Sequence, residues 1–256
     1  MWRIIVDGVS QEEIPDIPVG VKIQHQRRLE AGRFLFECEA ERDSLRHFLT
    51  LFPPETVSSV EEIKEEGLVY TLPFSGLRLK LGQSPFKGDI SLETEGTFGT
   101  GFHPSTRLSL DLLDELALSH PLETVLDLGA GSGVLSLVAA GLGASQVVAL
   151  EIDPKACLVC RKNICLNHFE RQIQVVCGTL EVLKGAFKLV LANIYLRILL
   201  QEAESLRRLI SPGGHLICAG FLAGNEKRLE EKYTDFKTIK QIQREGWAAL
   251  LLEREK

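Results

Sequence analysis

Val125-Leu126-Asp127-Leu128-Gly129-Ala130-Gly131-Ser132-Gly133 is the stretch that decides how this chain folds. A short apolar run passes directly into a turn with glycine at every second position, and an apolar segment of helical length follows to Leu142. This is the pattern of a buried strand, a tight turn and a helix. Working outward toward the C-terminus, the alternation repeats. Gln146 to Leu150 reads as a strand, a helix starts at Pro154, and Ile173 to Cys177 is the third strand. Phe187 to Ala192 is the fourth, followed by a helix from about Leu196 to Leu209, a Ser211-Pro212-Gly213-Gly214 turn and a strand from His215 to Ala219. Continuous apolar strands alternating with helices predict a parallel sheet covered on both faces. The ending breaks the rule: Thr238 to Arg244 and Trp247 to Glu253 are joined only by Glu245-Gly246, a connection short enough to require a hairpin.

Working outward toward the N-terminus, Ser105 is a candidate cap for a helix through about Leu118, with Leu108, Leu112, Leu113 and Leu116 at helical spacing. Further back, strands are expected at Arg3 to Val6, Val21 to Arg27 and Arg33 to Glu39, with Ala31-Gly32 as a turn, then a helix from Arg42 to Leu51 ended by Pro53-Pro54. The expected organisation is a small α+β domain over residues 1–60, a connector over 61–94 with a strand or two, and an α/β domain over 95–256.

The 256 residues carry a net charge of -6, which opposes the counterion release that drives non-specific nucleic-acid binding and suits a basic protein partner better. No apolar run reaches the roughly 18 residues of a membrane span, and Asp7, Glu12 and Glu13 do not fit a signal peptide, so a cytoplasmic location is expected. The six cysteines are scattered (Cys38, Cys177, Cys218) or share one helix (Cys157, Cys160, Cys165). Cys157 and Cys160 form a C-x-x-C without a second pair, so all six read as reduced packing residues and no metal site is expected.

In an open α/β sheet, ligands sit beyond the carboxyl ends of the strands. The glycine turn at 129–133 is therefore the expected site of a nucleotide-like ligand. A dinucleotide fingerprint needs G-x-G-x-x-G, yet Val134 stands where its third glycine belongs; the pattern here is G-x-G-x-G. That favours a phosphate-free nucleoside such as S-adenosyl-L-methionine, with Asp127 stabilising the turn and the ligand's ammonium end. Glu151, at the end of the next strand, is placed to accept both ribose hydroxyls, whereas Asp153 before Pro154 reads as a helix cap. At the end of the fourth strand stands Asn193-Ile194-Tyr195. An asparagine carbonyl there can accept the N–H of an amine and aim its lone pair at a methyl donor.

A further segment, Thr97-Phe98-Gly99-Thr100-Gly101-Phe102-His103-Pro104-Ser105-Thr106-Arg107, precedes the first helix of the α/β domain. In order and spacing, this loop, the glycine turn and Ala192-Asn193-Ile194-Tyr195 together resemble the PrmA family, methyltransferases of large-subunit ribosomal protein eleven. The resemblance runs from about Glu95 to the C-terminus. It implies a Rossmann-like, seven-stranded class I methyltransferase sheet with a reversed last strand, S-adenosyl-L-methionine as cofactor and a basic ribosomal protein as partner. It also implies cofactor contacts from Thr106, Gly129, Glu151 and Asn193, with Asn193 facing the target amine beside Ile194 and Tyr195. Phe98, Gly99, Thr100, Ala130, Gly131, Gly133, Ile152, Thr179 and Leu180, in or next to the same motifs, complete the candidate set. Glu151 replaces an aspartate usual in the family and Thr179 a serine, and the tryptophan-rich stretch expected before Phe98 is missing. His103 is either a pocket residue or a packing group at the helix start. Other readings of the residues are a small-molecule or nucleic-acid methyltransferase, a weakly catalytic cofactor-binding protein and, disfavoured by Val134, a dehydrogenase.

Overall fold

A strand buried on both faces must be largely apolar, and Thr124–Leu128, Gln146–Glu151 and Phe187–Asn193 are apolar over most of their length. In a computed structural model of the chain, the described residues are 2–6, 18, 20–28, 34–40, 42–52, 56–62, 69–81, 89–93 and 101–255. They fall into two compact units, Met1–Leu68 and Val69–Lys256.

The first unit is an antiparallel sheet with one helix. Its strands are β1 (Trp2–Val6), β2 (Val21–Arg28), β3 (Phe34–Ala40) and β4 (Val57–Glu62), in the order β2-β3-β1-β4, and α1 is Arg42–Thr50. Ile4, Val6, Phe34, Phe36, Leu45, Phe48 and Phe52 form its core, with Phe48 edge-on to both Phe36 and Phe52. β4 is an addition to the expected strands. It pairs with β1 through a register shift at Ile5/Val6, so its apolar residues do not alternate as a regular strand's would. The expected Ala31-Gly32 turn and the Pro53-Pro54 stop lie outside the described residues.

The second unit opens with β5 (Val69–Thr71), β6 (Arg78–Leu81) and β7 (Ile90–Leu92), a three-stranded sheet where a strand or two had been expected. Next comes α2 (Pro104–Ser119). It is capped by His103 rather than Ser105: the His103 Nδ1 accepts from the Ser105 amide at 3.3 Å. Pro104, whose fixed φ suits a first helical turn, moves the start forward. Then follow β8 (Thr124–Leu128), α3 (Val134–Gly141), β9 (Gln146–Glu151), α4 (Pro154–Leu166), β10 (Ile173–Cys177) and β11 (Phe187–Asn193). The expected single helix after β11 is two, α5 (Leu196–Gln201) and α6 (Ala203–Leu209), broken at Glu202. The chain ends with β12 (Ile210–Leu222), α7 (Glu226–Glu230), β13 (Phe236–Arg244) and β14 (Trp247–Arg254).

The main sheet has the order β10-β9-β8-β11-β12-β14-β13. The first five strands are parallel, and β14 runs antiparallel between β12 and β13. Glu245 (φ 52°) and Gly246 (φ 80°) turn the final hairpin in the left-handed region that two-residue hairpin turns require. The expected Ser211-Pro212-Gly213-Gly214 turn is absorbed as a slip inside β12, where pairing with β11 jumps from Ile210 to His215. Among the described residues, no helix is long and apolar enough to cross a membrane.

Two buried polar clamps bind the small sheet to this framework. The Asp114 carboxylate accepts from the Phe74 amide at 2.7 Å, and Asn163 of α4 exchanges bonds of 2.8 Å with the backbone N–H and C=O of Glu93. A second bond of 2.8 Å from the Asn163 Nδ2 reaches the Ser132 carbonyl in the glycine turn.

Candidate active site

All five parallel strands run the same way, so the loops after β8, β9, β10, β11 and β12 gather at one edge of the sheet. A cavity of about 650 Å³ lies there, a size suited to a nucleoside-class ligand. Its walls carry Gly129 and Gly131 after β8, Glu151 and Ile152 from β9, Thr179 and Leu180 after β10, and Asn193, Ile194 and Tyr195 from β11. Nine of the candidate residues thus meet around one space.

The turn after β8 is shaped by its glycines. Gly129 has φ 72°, and a Cβ on it would lie 2.6 Å from the Ile194 Cγ2, so a side chain here would close the gap between the β8 and β11 loops. Its N–H and that of Ala130 both bond the Leu150 carbonyl, which ties the turn to β9. Asp127 lies beneath, 1% exposed and off the cavity wall. Its Oδ2 accepts from the Ser136 amide at 3.0 Å and the Ser136 hydroxyl at 2.7 Å. Burial pushes its pKa up to about 6, against the pull of those two bonds. The carboxylate expected to meet a ligand's ammonium end is therefore engaged with the first turn of α3 instead. Ala130 and Gly133 likewise stand behind the wall; a Cβ at Gly133 would fall 2.7 Å from the Cys160 Sγ.

Glu151 is held by backbone donors. Its Oε2 accepts from Gly131 at 2.9 Å, and its Oε1 accepts from Ile152 at 2.8 Å and Asp153 at 3.0 Å. A carboxylate offers about four acceptor positions, so room remains for a hydroxyl donor. Asp153 caps α4 by accepting from the Lys155 amide at 2.9 Å.

The end of β11 is organised differently. The Asn193 Nδ2 donates to the Oγ1 of Thr106, a residue buried in α2, at 3.1 Å. The Asn193 Oδ1 is buried and has no hydrogen-bond partner among the described residues. A buried acceptor without a donor costs on the order of 1–3 kcal/mol, so it marks a place where a ligand's N–H or O–H is wanted. Thr106 thus acts behind Asn193, off the cavity wall. Phe98, Gly99 and Thr100 lie outside the described residues.

Residues 86–255 match the family described as Ribosomal protein L11 methyltransferase (PrmA). The chain belongs to that family. The ribosomal protein L11 methyltransferase of Pelobacter propionicus is 38% identical over 177 residues, covering 66% of this chain and 57% of its own. That of Geobacter sulfurreducens is 39% identical over 176 residues, covering 67% and 57%. The chain thus spans 57% of the length of each of these curated relatives. Among solved structures, a ribosomal protein L11 methylase from Lactobacillus delbrueckii subsp. bulgaricus superposes with a TM-score of 0.63 at 28% identity, covering 70% of this chain and 95% of that one.

Several wall residues of this PrmA cavity are absent from the sequence-derived set: Gly178, Ile198, Glu202, Gly220 and Trp247. Gly220 carries a readable signal, since a glycine within an apolar strand marks a close backbone approach. A Cβ there would lie 2.5 Å from the Ile194 carbonyl oxygen. Trp247 carries none, because it arrives through the antiparallel return of β14. Its ring stands edge-on to His103 at 4.7 Å, and both residues line the PrmA cavity, so His103 is a pocket residue as well as the helix cap.

Proposed function

We propose that this chain is an S-adenosyl-L-methionine-dependent N-methyltransferase acting on protein amino groups, with a ribosomal protein of the L11 type as acceptor. The observation that carries the reading is the Asn193 side chain at the cavity wall, its amide nitrogen fixed by Thr106 and its oxygen without a donor among the described residues. The names of the relatives supply the acceptor class.

The cavity residues fit the cofactor. Glu151 retains acceptor capacity for one ribose hydroxyl, Gly129 and Gly131 let a ligand approach the backbone after β8, and Leu150, Ile152, Leu180 and Ile198 give apolar walls for a base. Bound there, the cofactor supplies a methyl group on a sulfonium sulfur. The chain's own task is to present the acceptor. Asn193 Oδ1 accepts one N–H of the incoming amine, which fixes the direction of its lone pair, and the close packing of Gly220 on the Ile194 backbone holds that strand end in place. A protonated lysine, with an ordinary pKa of about 10.4, has no lone pair to present, so it reaches the reactive form by losing its proton to solvent and by burial.

The test is transfer of labelled methyl from S-adenosyl-L-methionine to purified ribosomal proteins, with mass spectrometry to locate the product. The expected outcome is methylated lysine or N-terminal amine on one ribosomal protein, at a rate that rises with pH from 7 toward 9. Labelled nucleic acid and unlabelled protein would refute the reading.

A further inference from the structure

The cavity wall holds two carboxylates, Glu151 and Glu202. The first is engaged by three amides. The second stands at the break between α5 and α6, where ψ of 7° takes the backbone out of the helix. Its N–H bonds the Ile198 carbonyl at 2.8 Å and its own carbonyl accepts from Leu206 at 2.9 Å, so the main chain is fixed. Its carboxylate makes no hydrogen bond or ion pair among the described residues. The neighbouring Arg207 is committed elsewhere, to Glu204 at 3.1 Å and Asp235 at 2.8 Å.

Its place within the cavity follows from the fold. Seven residues of nearly continuous helix separate Glu202 from Tyr195, about 10 Å at the usual rise. α5 and α6 pack against β12, and Leu180, which lines the main cavity, also borders α6. A second cavity of about 430 Å³ between residues 180–185 and Ser205, Arg208 and Leu209 follows the same seam. Glu202 therefore belongs to the Gly178-Thr179-Leu180 end of the main cavity, away from Asn193. That end adjoins Glu151, because the Gly178 N–H bonds the Glu151 carbonyl at 2.9 Å. A nucleoside whose ribose sits on Glu151 has its base there, between apolar walls.

Resting on the cofactor reading above, we propose that Glu202 determines which base the cavity accepts. An ionised carboxylate only accepts hydrogen bonds. Glu202 takes one from the exocyclic 6-amino group of adenine and repels the 6-oxo group that hypoxanthine carries at the same position.

Titration calorimetry of the full chain with S-adenosylhomocysteine and S-inosylhomocysteine tests this, using wild type, Glu202→Gln and Glu202→Leu with matched melting curves. Wild type is expected to prefer the adenosyl compound by roughly tenfold or more, the effect of a hydrogen bond to a charged group. Glu202→Leu is expected to weaken adenosyl binding about tenfold and to lose the preference. Glu202→Gln, whose amide can donate to a 6-oxo group, is expected to shift the preference toward the inosyl compound, a change that a merely structural residue would not produce. An undiminished preference in both variants overturns the assignment, as does a change confined to the KM for the acceptor protein. Wild type that binds neither nucleoside overturns the cofactor reading, and this assignment with it.

Discussion

The ends of β8 and β9 and the end of β11 face the same cavity, but they treat polar atoms in opposite ways. At β8 and β9, Asp127 is satisfied by Ser136, and Glu151 by the amides of Gly131, Ile152 and Asp153. At β11 the Asn193 amide is half used among the described residues, with its nitrogen on Thr106 and its oxygen without a donor. The first pair of strand ends is held in place by the chain itself, with one acceptor position left on Glu151, and on the proposed reading it is a preformed holder. The second is short of a donor, and that deficit is what an acceptor amine can supply.

The largest effect should come from removing the deficit. Asn193→Ala deletes the unpaired acceptor and is expected to cut turnover about 100- to 1000-fold, the range for loss of one preorganised polar group at a reacting centre. Cofactor affinity, which the proposed function assigns mainly to the β8 and β9 ends, should change only a few-fold. Steady-state kcat against calorimetric Kd separates the two. A parallel loss of both would place Asn193 in the holder and dissolve the comparison.

The holder is better tested through pH. Asp127 has a folded pKa of about 6 against an ordinary 3.8, so the folded state binds more protons than the unfolded one between those values. Stability should therefore fall as pH rises from about 4 to 6, and level off above. The loss is on the order of 2–3 kcal/mol, since each unit is worth about 1.4 kcal/mol. Asp127→Asn keeps an oxygen for Ser136 and has no charge to bury. Urea denaturation of both proteins across pH 4 to 7 should show the variant gaining on wild type as pH rises; a constant difference would mean that Asp127 titrates normally.

Much of this holder was legible in the sequence, because each part is local. A strand end, a glycine turn and an acidic residue at the next strand end lie in one short stretch, and Asp153-Pro154 spells out its own helix cap. Asn193 was legible for the same reason. What stayed hidden depends on distant pairing or on tertiary packing. The Glu202 break has no proline or glycine to announce it, and helical spacing continues across it. Trp247 comes to the cavity only because β14 is inserted between β12 and β13. The partner of Asp127 was missed because Ser136, nine residues on, looks like any small residue on a buried helix. In the N-terminal unit, β4 escaped because its register shift against β1 destroys the two-residue alternation.

The smallest effect tests how the deficit is kept. Thr106 does not line the cavity, and its hydroxyl's part is to hold one face of the Asn193 amide. Thr106→Val keeps the volume of a fully buried side chain and removes that hold. The amide can then turn over, presenting nitrogen to the acceptor in part of the population, and the lost bond is worth about 1 kcal/mol. Turnover should fall roughly fivefold, far less than for Asn193→Ala, because the oxygen is still present though no longer directed. Thr106→Ser, which keeps the Oγ1 position and loses only a methyl group, should recover most of the rate. Single-turnover rates with saturating cofactor read this directly. If Val matches wild type while Ser does not, the hydroxyl has no part in aiming Asn193, and its orientation must come from the packing of Ile194 against Gly220 alone.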